Sequence, residues 1–149
     1  MQVAKLIHPE CIIAPLDVDN RNDAIARLIE LVGERGDMND TATALELVLE
    51  RESERTTGIG EGLAVPHARM PGLDNVVVAV GRMAEGVDWN AFDQKPVHLV
   101  VLVLSPPNRT ADHIQVLGWF SRRLSERTTR LAIYDAASPQ ALADLLTAK

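Results

Sequence analysis

His67 stands near the end of the run GIGEGLAVPHARMPG (58–72), directly after Pro66 and close behind Gly58, Gly60 and Gly62. These residue types suit a histidine that handles a phosphate. Glycines let backbone amides approach an anion closely, and an unprotonated imidazole nitrogen is a good nucleophile near neutral pH. The same letters also describe a turn histidine with its ring in solvent, and the stretch alone leaves both readings open. His113 falls in the first turn of a predicted helix, where free N–H groups and the helix dipole attract anions. It is either a hydrogen-bond donor to a phosphate held by His67 or an ordinary helix-start residue. Arg51 and Arg55 close an earlier predicted helix just before the glycines. Their charge favours a helix C-terminus in itself, and a planar guanidinium fork is also well shaped to grip a phosphate. Thr56 and Thr57 offer hydroxyls either to cap that turn or to donate to the same anion.

Other chemistries fit poorly. The chain has no G-x-x-x-x-G-K-[ST] run, and after Gly58 and Gly60 the third position of a G-x-G-x-x-G pattern is Leu63, so nucleotide binding is not expected. Four histidines raise the question of zinc, but no two sit four apart and Cys11 is the sole cysteine. Neither a metal site nor an internal disulfide is expected, and no cofactor is called for. Cys11, beside Ile12 and Ile13, reads as a small buried hydrophobe. His98 alternates with Val100, Leu102 and Leu104 on a strand face and reads as structural, while His8 beside Pro9 reads as an exposed loop residue.

The chain has 149 residues, of which 46% are hydrophobic and 24% charged, which fits one globular domain over residues 1–149. Aromatic residues make up only 3%, so aliphatic side chains must build the core. The net charge of -6 argues against a nucleic-acid partner. The densest basic cluster, Arg122-Arg123 with Arg127 and Arg130, is interrupted by Glu126 and reads as a solvated helix face. No apolar run reaches the roughly 18 residues of a membrane span, so no membrane insertion is expected and the cytoplasm is the default location.

These residues need elements to position them. A helix is predicted from Asn20 or Asn22 to Glu34, with Ala24, Ile25, Leu28, Leu31 and Val32 inward. A second runs from about Asp40 to Glu54, with Ala42, Leu45, Val48 and Leu49 inward. The glycine run reads as a loop. VVVAVGRM (76–83) and VHLVVLVL (97–104) read as strands covered on both faces. A helix follows from about Thr110 to Glu126, with Ile114, Leu117, Phe120 and Leu124 inward. The last begins with Ser138 as cap and Pro139 at the first position. Helices around a β-rich centre imply a layered α/β domain, here a three-layer α/β/α sandwich with a central mixed sheet.

RESERTTGIGEGLAVPHAR (51–69) closely resembles the phosphoryl-acceptor signature of enzyme IIA domains of the bacterial sugar phosphotransferase system, in the fructose/mannitol class that includes the nitrogen-regulatory proteins. FDQKPVHLVVLVLSPPNRTADHIQVLGWFSRRL (92–124) resembles the family's second block through Asp93, Pro96-Val97, Pro107 and the His113 helix. The resemblance implies that His67 is phosphorylated by an HPr-like phosphocarrier protein. It implies that His113 orients the phosphate, that Arg51 binds its oxygens, and that Thr57 with the amides of Gly58 and Gly60 completes the cradle. The group then passes to an enzyme IIB or serves as a signal to regulatory target proteins. Transfer between histidines needs positioning and charge stabilisation, with no nucleotide or metal. Glu61 departs from the pattern: its carboxylate either raises the proton affinity of His67 or faces water.

Overall fold

A computed structural model describes residues 1–148. After two short 3-10 turns the chain forms β1 (Ile12–Ile13), α1 (Arg21–Glu34), α2 (Thr41–Glu54), β2 (Gly58–Gly60), β3 (Leu63–Ala64), β4 (His67–Arg69), β5 (Val77–Val87), β6 (Val97–Ser105), α3 (Thr110–Arg123), α4 (Arg127–Tyr134) and α5 (Pro139–Thr147). The strands make one mixed sheet in the order β1-β5-β6-β3-β2, with β4 also on β6. β5 and β6 pair antiparallel at its centre, and β1 runs parallel to β5.

The alternation of side chains along β6 divides the interior in two. Val100, Leu102 and Leu104 face Ala24, Ile25 and Leu28 of α1 and Ala44 and Val48 of α2. Leu99, Val101 and Val103 face Val116 and Phe120 of α3, Ile133 of α4, and Leu142 and Leu146 of α5. The expected three-layer sandwich is therefore present, with a core on each side of the sheet.

Local signals set several boundaries. Asn20 caps α1 by accepting the Asp23 N–H at 2.8 Å, and Asp40 caps α2 by accepting that of Thr43 at 3.1 Å. Ser138 accepts the Ala141 N–H at 3.1 Å ahead of Pro139 at the first position of α5.

The outer strand that carries His67 differs from the expected loop. β3 and β4 both run parallel to β6 and in one register, Leu63 opposite Leu99 and His67 opposite Val103. Val65-Pro66 separates them because proline has no N–H for the ladder, although its carbonyl still accepts the Val103 N–H at 3.0 Å. The glycine run is likewise ordered: Gly58–Gly60 pairs antiparallel with Leu63–Ala64. Alternation then places His67 on the same face as Leu63 and Val65, toward α3.

Three expected inner faces shift. On α3 the buried residues are His113, Val116 and Phe120, and Ile114 is exposed. On α2, Ala42 is exposed and the buried stripe is Ala44, Val48 and Glu52. On α1, Leu31 is only half-buried and Ile29 is buried in the core. The chain past Arg123 also turns to form a separate helix, α4.

Phe120 is fully buried between the sheet and the C-terminal helices. Phe120→Ala should lower the stability by about 3–5 kcal/mol through lost burial and the cavity left behind, read as a reduced urea midpoint at unchanged slope.

Candidate functional site

β4 holds His67 half-buried beside a cavity of about 340 Å³. Its Nδ1 lies 2.8 Å from the Val65 carbonyl oxygen. A carbonyl only accepts, so Nδ1 must carry the proton, and the lone pair of the neutral ring sits on Nε2. Burial lowers the pKa of His67, the Val65 carbonyl raises it, the Arg51 guanidinium lowers it and the Glu52 carboxylate raises it, in decreasing order of effect. The net direction is downward, which favours the neutral, nucleophilic form.

His113 meets it from α3. The two ring centroids are 5.2 Å apart at an interplanar angle of 61°. The His113 Nδ1 is 2.6 Å from the hydroxyl of Ser105, which is fully buried at the end of β6. Burial pushes the pKa of His113 down to about 4, helped by the repulsion that protonated His113 would feel from His67 when that ring is also protonated and from Arg69. Arg69 is tied to the start of α3 through the Thr110 hydroxyl, at 2.5 Å.

Arg51, in the last turn of α2, donates from Nη1 to the Arg55 carbonyl at 2.8 Å, satisfying a terminal carbonyl of its own helix. Arg51 and Arg55 both line the His67 cavity. His67, His113 and Arg51, far apart in sequence, are thus brought together.

Of the other three residues expected to contact a phosphate, Thr57 and Gly58 line the cavity and all three have partners or packing of their own. The Thr57 hydroxyl donates to Glu52 at 2.5 Å and its N–H donates to the same carboxylate at 2.6 Å, so neither is free for a phosphate. The Gly58 N–H donates to the Thr56 hydroxyl at 3.1 Å. A Cβ at Gly58 would come within 2.8 Å of the Ala91 backbone, so packing, rather than anion approach, requires that glycine. Gly60 has φ +103 and does not line the His67 cavity; it faces Asp93, whose Oδ2 would be 3.3 Å from an added Cβ.

Glu61 also points elsewhere. Its N–H donates to Asp93, its carbonyl accepts from the Tyr134 hydroxyl at 2.6 Å, and its carboxylate lies 3.6 Å from Arg130. The carboxylate that acts on His67 is that of Glu52. Ser105 is a neighbour of the site that sequence reasoning missed, and Glu52, which lies beside Arg51 in the stretch that carries the family resemblance, had been given no role. Glu52 continues the Ala44, Val48 spacing of four on the inner face of α2, and that spacing was the available signal. His98 and His8 stand apart from the site, as expected. His98 is bonded through Nδ1 to the Met83 carbonyl at 3.1 Å, and His8 is exposed.

Residues 5–149 match the family model described as the phosphoenolpyruvate-dependent sugar phosphotransferase system, EIIA 2. The chain belongs to this family. The enzyme IIA domain is 38% identical over 126 residues to the PTS system fructose-specific EIIA component of Haloferax volcanii, covering 85% of this chain and 82% of that protein. It is 30% identical over 146 residues to the nitrogen regulatory protein of Bradyrhizobium diazoefficiens, covering 98% of this chain and 95% of that one. The crystal structure of nitrogen regulatory protein IIA-Ntr from Neisseria meningitidis matches with a TM-score of 0.91 at 28% identity, over 97% of this chain and 99% of that chain.

The two site histidines give this enzyme IIA domain an acid-sensitive fold. Both folded-state pKa values lie below the ordinary 6.5, that of His113 at about 4. Between those values the unfolded chain binds more protons, so the histidine contribution is whole above about pH 6.5 and is lost as pH falls toward 4. Urea midpoints should decline across that window, and His113→Asn should flatten the decline.

Proposed function

We propose that His67 is the phosphoryl acceptor of a protein-to-protein histidine relay. The observation that carries this is the Nδ1 contact to the Val65 carbonyl, which leaves Nε2 as the free nucleophilic atom beside a cavity shared with Arg51. The donor is a phosphohistidine carrier of the HPr type or its nitrogen-branch equivalent. The Nε2 lone pair forms the new N–P bond while the donor's N–P bond breaks and its electron pair returns to the donor imidazole. The proton stays on Nδ1 throughout, hydrogen-bonded to the Val65 carbonyl, so the attacking Nε2 has no proton to lose.

Arg51 meets the equatorial oxygens with remaining N–H groups of its fork, supplying charge where the transition state is most negative. His113 is neutral at working pH. In the tautomer that serves the relay, the Ser105 hydroxyl donates to Nδ1 of His113 and the ring proton on Nε2 is a hydrogen-bond donor to the phosphoryl group. Thr57 and Gly58 shape the wall without touching the phosphate. Ile59 and Phe92, both exposed, also line the cavity, so an apolar surface of a docking protein can close over it and exclude water.

The phosphoryl group then passes to an enzyme IIB or acts as a signal. The fructose-specific relative supports the first route. The full-length match to nitrogen regulatory proteins supports the second, in which a dianion on His67 changes which target protein docks. A cytoplasmic location goes with either route. No helix among the described residues is long and apolar enough to cross a membrane.

Incubation with phosphoenolpyruvate, enzyme I and HPr should place one acid-labile phosphate on the chain, with a phosphorus NMR shift diagnostic of Nε2. His67→Ala should abolish it, and uptake equal to that of the unsubstituted chain would refute the assignment. Arg51→Ala and His113→Ala should each slow phosphorylation by about 100-fold, as loss of an oxyanion donor does, while leaving His67 as the modified residue.

A further inference from the structure

Ser105 is the most deeply buried polar residue among the described residues. It ends β6 after an unbroken apolar run from Leu99 to Leu104. A buried hydroxyl is costly unless it is hydrogen-bonded, and an apolar side chain would continue the run without that cost. Among the described residues the hydroxyl has one partner, Nδ1 of His113, at 2.6 Å. Its proton needs an acceptor and that nitrogen is the acceptor in reach, so Ser105 donates and Nδ1 holds a lone pair. The opposite arrangement, with Nδ1 donating to the hydroxyl oxygen, would leave a buried O–H unpaired. The backbone of Ser105 is engaged as well. It lies opposite Arg69 in the β4–β6 ladder, two residues past Val103, which lies opposite His67. Its carbonyl accepts the Met70 N–H at 2.8 Å. One residue therefore joins the strand that carries His67 to the helix that carries His113. Arg69 makes a second tie between them by donating to the Thr110 hydroxyl at 2.5 Å. Held by these ties, the two rings stand with centroids 5.2 Å apart at an angle of 61°.

We infer that Ser105 is a positioning residue of the relay, which fixes both the orientation of the His113 ring and the nitrogen that carries its proton. The inference rests on the reading of His67 as acceptor. The Val65 carbonyl and the Ser105 hydroxyl then act as opposites. A carbonyl can only accept, so it places the proton of His67 on Nδ1 and leaves Nε2 as the nucleophile. The hydroxyl donates, so it places the proton of His113 on Nε2 and makes that nitrogen a donor. Two like side chains thereby take unlike roles, each set by one buried or half-buried neighbour. Without the hydroxyl, the His113 ring loses the contact that aims its N–H, and the phosphoryl oxygens meet a donor of uncertain direction.

The test uses the full chain with phosphoenolpyruvate, enzyme I and HPr. In the unsubstituted protein at neutral pH, NMR of the ring nitrogens should show Nδ1 of His113 bare and Nε2 protonated. Ser105→Ala should lower the maximal rate of His67 phosphorylation by about tenfold and leave the KM for phospho-HPr within about twofold, since a transition-state donor has lost its aim while docking is untouched. Ser105→Thr, which restores the hydroxyl, should recover the rate to within about threefold of the unsubstituted chain. In His113→Ala, which already lacks the donor, adding Ser105→Ala should cost nothing further, because the two residues act as one unit. A protonated Nδ1 on His113 in the unsubstituted chain would overturn the inference. So would an unchanged rate in Ser105→Ala, or a loss equally large with and without His113, which is what a merely structural serine would give. If the unsubstituted chain takes no phosphate on His67, the acceptor reading fails instead, and the NMR signature still reports which nitrogen of His113 Ser105 leaves protonated.

Discussion

An imidazole has two nitrogens, and when one of them keeps its proton the other is left with the lone pair of a nucleophile. The Val65 carbonyl makes that choice here, because it accepts from Nδ1 and cannot donate. Its geometry depends on the strand around it. Val65 anchors to the hairpin by giving its N–H to the Thr57 carbonyl at 3.0 Å, and Pro66 gives its carbonyl to Val103 at 3.0 Å. The proline that interrupts the ladder leaves the residues on either side in register, with the histidine side chain folded back on the carbonyl two residues before it. Everything else in the site, from α2 on one side to α3 on the other, is arranged around a ring whose tautomer is set by its own backbone.

The glycines serve packing. Gly58 lies against Ala91 and Trp89, and Gly62, at φ +83, lies beneath the Tyr134 hydroxyl, 2.9 Å from where a Cβ would stand. They let the β2–β3 hairpin sit close to the loop after β5 and to the end of α4. The hairpin in turn carries Thr57, which closes the Glu52 cage. The glycine-rich run therefore seats the histidine by letting its supporting elements approach one another.

Much of this was legible in the sequence, for reasons that are local. β5 and β6 are continuous β-branched runs, Asn20 and Ser138 are caps beside periodic apolar residues, and these features act within a few positions. The two histidines and Arg51 were legible through their resemblance to a family signature. What failed was non-local. A run of glycines has little intrinsic preference for a strand, and its pairing is imposed by β6, which comes later in the chain. The α3 stripe shifted because His113 turns inward to meet Ser105, which carries Ile114 outward. Glu52 was hidden inside a charged stretch, although its helical spacing matched the buried face. Thr57 offered a hydroxyl that suited a phosphate as well as it suited a carboxylate, and only the three-dimensional neighbourhood decides between them.

The in-register pairing of β3 and β4 with β6 also orders events in time. The seat of His67 is a long-range contact, which local helices do not prefigure and which must await strand 97–105 and then helix 110–123. Long-range parallel pairing is slow to form compared with the helices that flank it. During synthesis the segment bearing His67 emerges before the elements that fix its ring, so the histidine is made before it is seated. The ring takes its place only when β6 and α3 close over a histidine already made.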